Sequence, residues 1–100
     1  MIVYNVTIKV SPSIEEEWLV WQLQEHIPEI MATGLFTEYK FFRLLEQDDS
    51  EGATYVVQYF TSAMENYQRY LQEYASIMRQ KSFAKWNDQF IAFRTIMEMV

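Results

Sequence analysis

One hundred residues, half of them apolar and 17% aromatic, suffice for one compact domain over residues 1–100 and exclude intrinsic disorder. The absence of cysteine excludes disulfide scaffolds, thiolate metal sites and cysteine nucleophiles, and a net charge of −6 argues against nucleic acid and anionic lipid as partners. No apolar run exceeds four residues (Trp18 to Trp21, Phe90 to Phe93), far short of a membrane span, and the first ten residues do not read as a signal peptide, so a cytoplasmic location is expected.

Ile2 to Val10 alternates apolar and polar residues in β-branched company, which predicts a strand. Ser11 and Pro12 end it. Ser13 with Glu16 fits a capping box, and Glu15, Glu16 and Glu17 suit a helix N-terminus. Ile14, Trp18 and Trp21 recur at helical spacing, with Leu19, Val20 and Leu23 widening the stripe. Pro28 is expected to interrupt this helix, because the residue before proline is pushed out of the α region; a short turn restarts there and Gly34 closes it.

Leu35 to Glu46 reads as a strand, Gln47 to Gly52 as a polar turn and Ala53 to Phe60 as the returning strand of a hairpin. Ser62 with Glu65 fits a second capping box. Met64, Tyr67, Leu71, Tyr74 and Met78 then step by three or four residues, the clearest amphipathic helix in the chain. Lys81 to Trp86 reads as a last helical turn, and Phe90 to Met99 as the final strand. The order β-α-β-β-α-β is that of an α+β, ferredoxin-like domain: a four-stranded antiparallel sheet with two helices on one face.

The uncovered sheet face is the main functional clue. With Ile2, Tyr4, Val6, Ile8, Tyr55, Val57, Tyr59, Ile91, Phe93 and Met97 turned to the helices, the other face takes Val3, Asn5, Thr7 and Lys9. It also takes Thr54, Val56, Gln58 and Phe60, then Phe90, Ala92, Arg94 and Ile96, together with Phe41 or Phe42. A solvated sheet face should be mostly polar, and this one is too apolar for a monomer. A homodimer packed sheet to sheet is expected, with Val3, Val56, Phe60 and Ile96 in the interface. Residues 1–51 hold ten acids and three bases, and residues 52–100 four acids and five bases. That asymmetry fits either complementary halves meeting in a dimer or ordinary matching of charge to helix dipoles.

The stretches Glu25 to Phe36 (EHIPEIMATGLF), Tyr55 to Phe60 (YVVQYF) and Phe90 to Thr95 (FIAFRT) resemble a small uncharacterised bacterial family over essentially the whole chain. The element order and the His26-Ile27-Pro28 segment are also similar to dimeric α+β barrels, which include antibiotic-biosynthesis-type monooxygenases, EthD-like proteins and haem-degrading enzymes. That resemblance implies a two-fold dimer whose paired sheets enclose a small cavity. No catalytic motif of those enzymes is complete in this sequence, and no reaction is assigned.

His26 is the sole histidine, the one side chain that ordinarily titrates near neutrality. It reads as a base, a haem ligand or a helix-end group satisfying a terminal carbonyl or a surface carboxylate. Asn5, Gln58 and Arg94 would form the convergent polar set of an apolar pocket, or a polar network across the dimer interface. The arginine would need Glu38, Glu98 or a bound anion as partner. Trp18, Trp21, Tyr67, Tyr70 and Tyr74 read as core by their helical spacing.

Asp48, Asp49 and Glu51 lack calcium-loop spacing and read as a solvated turn; no metal site and no cofactor are expected. An RNA-recognition domain shares the topology, yet Glu51 stands where that motif wants a base, and Tyr55 and Tyr59 fall on the helix side. The leading expectation is a homodimer binding a small, partly apolar ligand between its paired sheets. The alternative is a structural or regulatory dimer with a filled interior.

Overall fold

The computed structural model describes residues 1–100. Four antiparallel strands, β1 (Ile2–Val10), β2 (Glu38–Arg43), β3 (Ala53–Thr61) and β4 (Phe90–Glu98), pair in the order β2-β3-β1-β4. Two long helices pack on one face, giving the ferredoxin-like α+β fold. The radius of gyration is 13.5 Å.

Each strand's alternation decides which side chains meet the helices. Tyr4, Val6, Ile8 and Val10 of β1 are buried there, opposite Tyr59, Val57, Tyr55 and Ala53 of β3. They head a core of 19 residues that also takes Ile14, Trp18, Trp21, Ile27 and Ile30 from the first helix, and Tyr70, Ala75, Met78 and Trp86 from the second. Tyr4 is its aromatic hub, with the rings of Phe36, Tyr59, Tyr67 and Tyr70 at 5.3 to 6.1 Å. Trp18 packs on Tyr55 and Phe41. Tyr67 and Tyr74 are half-buried against this core, as their spacing predicts.

The first helix runs over residues 12–31 without a break. It opens with a 3-10 turn (Pro12–Ile14), continues as α-helix (Glu15–Trp21), widens to a π-helical turn (Gln22–His26) and resumes as α-helix (Ile27–Met31). Pro28 therefore does not interrupt it, contrary to expectation: Ile27 keeps α dihedrals (φ −61°, ψ −47°). The π turn directly upstream, in which the Ile27 N–H bonds to the Gln22 carbonyl, widens the spiral where a proline ring would crowd the preceding turn.

The second helix has the same construction: α-helix Met64–Tyr70, π turn Leu71–Ala75, α-helix Ser76–Trp86. Lys81 to Trp86 is thus the end of a continuous helix. Neither capping box forms. Ser13 lies inside the opening 3-10 turn and its hydroxyl bonds to Gln89 Oε1 at 3.0 Å; Ala63, not Ser62, occupies the second helix's cap position.

The β2 strand is shorter than its β-prone sequence suggests. Leu35 and Phe36 are buried in the core ahead of it, and Leu44 onward leaves the ladder after one bond to Thr54. The largest departure is the turn of β4. Its register places Arg94 opposite Val6, Ile96 opposite Tyr4 and Ala92 opposite Ile8. The even-numbered residues therefore face the helices, while Ile91, Phe93, Thr95 and Met97 face outward with Lys9, Thr7, Asn5 and Val3. In an exposed edge strand with apolar residues at both parities, alternation alone does not choose a side.

Candidate functional site

The open sheet face carries Val3, Asn5, Thr7 and Lys9 of β1, Thr54, Val56, Gln58 and Phe60 of β3, and Phe42 of β2. Asn5 and Gln58 are direct cross-strand partners, with Gln58 Nε2 donating to Asn5 Oδ1 at 3.4 Å and Asn5 Nδ2 donating to Thr7 Oγ1 at 3.3 Å. Val3 and Phe60 pair across the strands and are buried within the chain itself. Ile96 does not belong to this face. Its place is taken by Ile91 and Phe93, 58% and 67% exposed, with Met97 further along the same strand; exposed Phe42 stands on the same face at the opposite edge. The surface is more apolar than the sequence suggested, and by different residues.

Arg94 also leaves the open face, so the expected trio splits: Asn5 and Gln58 stay outside, and Arg94 joins His26 on the helix side. There both line a small cavity between sheet and helices, floored by Tyr4, Val6, Val57 and Tyr59 and walled by Gln22, Tyr70, Met78, Arg79 and Ser82. Its volume is about 30 Å³, room for one or two waters.

The two helices position these groups. Gln22 and His26 are the first and last residues of the π turn, so that turn sets how both side chains enter the cavity. Each carries one unsatisfied polar atom: Gln22 is 3% exposed, and its Oε1 and His26 Nδ1 are buried with no hydrogen-bond partner. The His26 ring stacks on Trp21 at 4.5 Å, and its Nε2 lies 3.5 Å from the Ser82 hydroxyl, which donates to the Met78 carbonyl. Burial, opposed by Glu29 and reinforced by Lys81 and Arg94, lowers the imidazole pKa to about 4, so the ring is neutral near pH 7. A neutral histidine with one free nitrogen accepts a hydrogen bond there; it does not retain a proton to donate as an imidazolium.

The arginines set the electrostatics. Arg43 pairs with Asp49 and Arg69 with Glu73. Arg79 and Arg94, the two that line the cavity, have no carboxylate partner; Arg79 reaches only the Tyr4 hydroxyl, at 3.4 Å. Neither Glu38 nor Glu98 pairs with Arg94. Burial raises the pKa of the Tyr59 and Tyr70 phenols, keeping both neutral donors. No three His, Asp or Glu side chains lie close enough together to hold a metal ion, and no helix is long and apolar enough to cross a membrane. The π turns, Gln22 and Arg79 escaped sequence reasoning; the only signal was that the His26 segment precedes a proline in a helix that would otherwise be regular.

The chain belongs to a family described as a domain of unknown function (DUF4286), which matches residues 1–100. No curated protein matches it. Among solved structures it is similar to an EthD family protein from Bacillus halodurans C-125 (TM-score 0.70, 13% identity, 100% of both chains). It is also similar to a protein of antibiotic biosynthesis monooxygenase type from Deinococcus radiodurans (TM-score 0.66, 14% identity, 100% of this chain and 93% of that one). A third is a dimeric ferredoxin-like protein from an uncultured marine organism (TM-score 0.68, 11% identity, 99% and 96%). At these identities the likeness is one of fold.

Proposed function

We propose that the protein is a homodimer, joined through its open sheet face, that binds a small molecule in the cavity between sheet and helices of each subunit. The observation that carries the binding reading is the coincidence of orphaned polar atoms, Gln22 Oε1 and His26 Nδ1, with two unpaired arginines around one gap in the core. Buried polar atoms are nearly always satisfied, and leaving one unpaired costs about 1–3 kcal/mol. A guest that supplies hydrogen bonds there removes that cost. On this reading the ligand sits on the helix side of each sheet, not between two sheets, where Arg94 and His26 line the cavity.

The dimer reading rests on Ile91, Phe93, Phe42 and Met97 standing exposed on one face. Burying roughly 500 Å² of apolar surface contributes on the order of 12 kcal/mol before the costs of association. The dimeric ferredoxin-like neighbour is a further support. Crystals soaked with a library of small polar fragments test the site: density for a fragment touching Gln22 or His26 is the expected result, and a cavity holding only water across the library would overturn it. The second reading, a structural dimer with no ligand, is favoured by the size of the cavity, far below the several hundred Å³ of typical ligand pockets. It is what remains if the soaks fail.

A further inference from the structure

We infer that the ligand of this cavity is a small organic monoanion, a short-chain carboxylate, with its carboxylate held by Arg79 and Arg94. The inference rests on the binding site proposed above and adds the chemistry of its occupant.

The chain carries eight bases and fourteen acids, so carboxylates are abundant. The three ion pairs recruit Arg43, Arg69 and Lys81. Of the five bases outside these pairs, Lys9, Lys40 and Lys85 lie away from the cavity, whereas Arg79 and Arg94, on different elements, both border it. No Asp or Glu lines that opening with them. Local positive charge is thus kept unneutralised in a protein whose overall charge is negative. Guanidinium groups present paired N–H donors in a planar fork that matches a carboxylate. Within the cavity the orphaned Gln22 Oε1 and His26 Nδ1 are acceptors, so the carboxylate rests on the arginines alone and a water beside it donates to those two atoms.

The remaining groups narrow the class. The lining beyond the polar atoms is Val6, Ile8, Ile30, Val57 and Met78, which suits an alkyl body and not a hydrated inorganic ion. No glycine-rich loop lies there to cradle a phosphate with backbone N–H groups. The volume of about 30 Å³ is room for one or two waters, so even a short chain enters only as the long side chains of Met78 and Arg79 give way.

The test is a titration of isotope-labelled protein with acetate, butyrate and hexanoate, and with acetamide, butyramide and hexanamide at matched ionic strength, followed by NMR at Gln22, His26 and Ser82. Inorganic phosphate serves as the charge control. Saturable shifts with butyrate, at least tenfold tighter than with butyramide, are expected. Arg79→Gln and Arg94→Gln should each weaken butyrate about tenfold and leave butyramide unchanged. Both arginines are exposed, so these variants are expected to fold.

Amides that bind as tightly as acids would overturn the monoanion inference while leaving a small-molecule site in place. Phosphate producing the same shifts as butyrate would overturn it too, since the site would then read charge alone. If no compound of either series moves these signals in correctly folded protein, the inference falls together with the binding site beneath it.

Discussion

His26 couples the cavity to solution pH. Its folded pKa of about 4 lies below the ordinary histidine value of 6.5, so the unfolded chain binds a proton that the folded chain does not. Stability therefore falls as pH drops from above about 6.5 toward about 4, by about 2 kcal/mol between pH 7.5 and pH 5. His26→Gln should lose this dependence, because glutamine does not titrate. Urea unfolding of both proteins at the two pH values measures the difference; equal pH dependence would mean that the imidazole is not desolvated.

Gly52 makes a different prediction at the same scale. Its φ is +135°, and a Cβ placed there would sit 2.0 Å from the Val10 carbonyl oxygen. Gly52→Ala is thus both strained and blocked by backbone, and should cost about 3 kcal/mol or more. Gly34, also left-handed at φ +75°, has open space around it; Gly34→Ala should cost only about 1 kcal/mol. The two variants compared in one denaturant series separate steric blockage from backbone preference.

Among the elements, the first helix shows how local rules compete. The residue before a proline is disfavoured in the α region, which is sound for an isolated segment. In this chain Ile27, fully buried, and Ile30 both belong to the core, and continuing the helix keeps both packed. The π turn lets it continue. Pro28→Ala should therefore change stability by no more than about 1 kcal/mol, against the ~3 kcal/mol that a proline costs in a regular helix interior. A gain of ~3 kcal/mol on urea unfolding would show the ring still straining the spiral.

The strands were legible where alternation coincided with burial on one side. In β1 and β3 the apolar set is unambiguous, so their inward faces follow from sequence. In β4, with Phe90, Ile91, Ala92 and Phe93 in a row, both faces are apolar and only the ladder with β1 decides. That one ambiguity moved Arg94 and Ile96 to the wrong side and hid that Arg94 and His26 line one cavity. The cavity's other members could not be read off either: Gln22 enters through a π turn, and helical periodicity at 3.6 residues per turn does not register a single wider turn.

For the whole molecule, the proposed dimer makes the exposed sheet face its interface. Phe93→Glu places a charge on the β4 edge of that face without touching the helix-side core, and should convert a dimer into a folded monomer on analytical ultracentrifugation. Wild-type protein that sediments as a monomer would remove the dimer. Ile96→Glu, on the other face, should leave association intact. The uneven charge of the two halves needs no dimer to explain it: Lys81 of the second helix pairs with Glu29 of the first, so opposite charges already meet inside one chain.

The parallel stack of the His26 ring on Trp21 gives the cavity its own optical reporter. An imidazole that gains a proton beside an indole face becomes a cation held against its π cloud, and indole emission is quenched by such a neighbour. Trp18 and Trp86 supply a steady background. Acidification through pH 4, or an anion seated beside the ring that eases its protonation, would therefore register as dimming of the protein's native ultraviolet glow, with no dye attached.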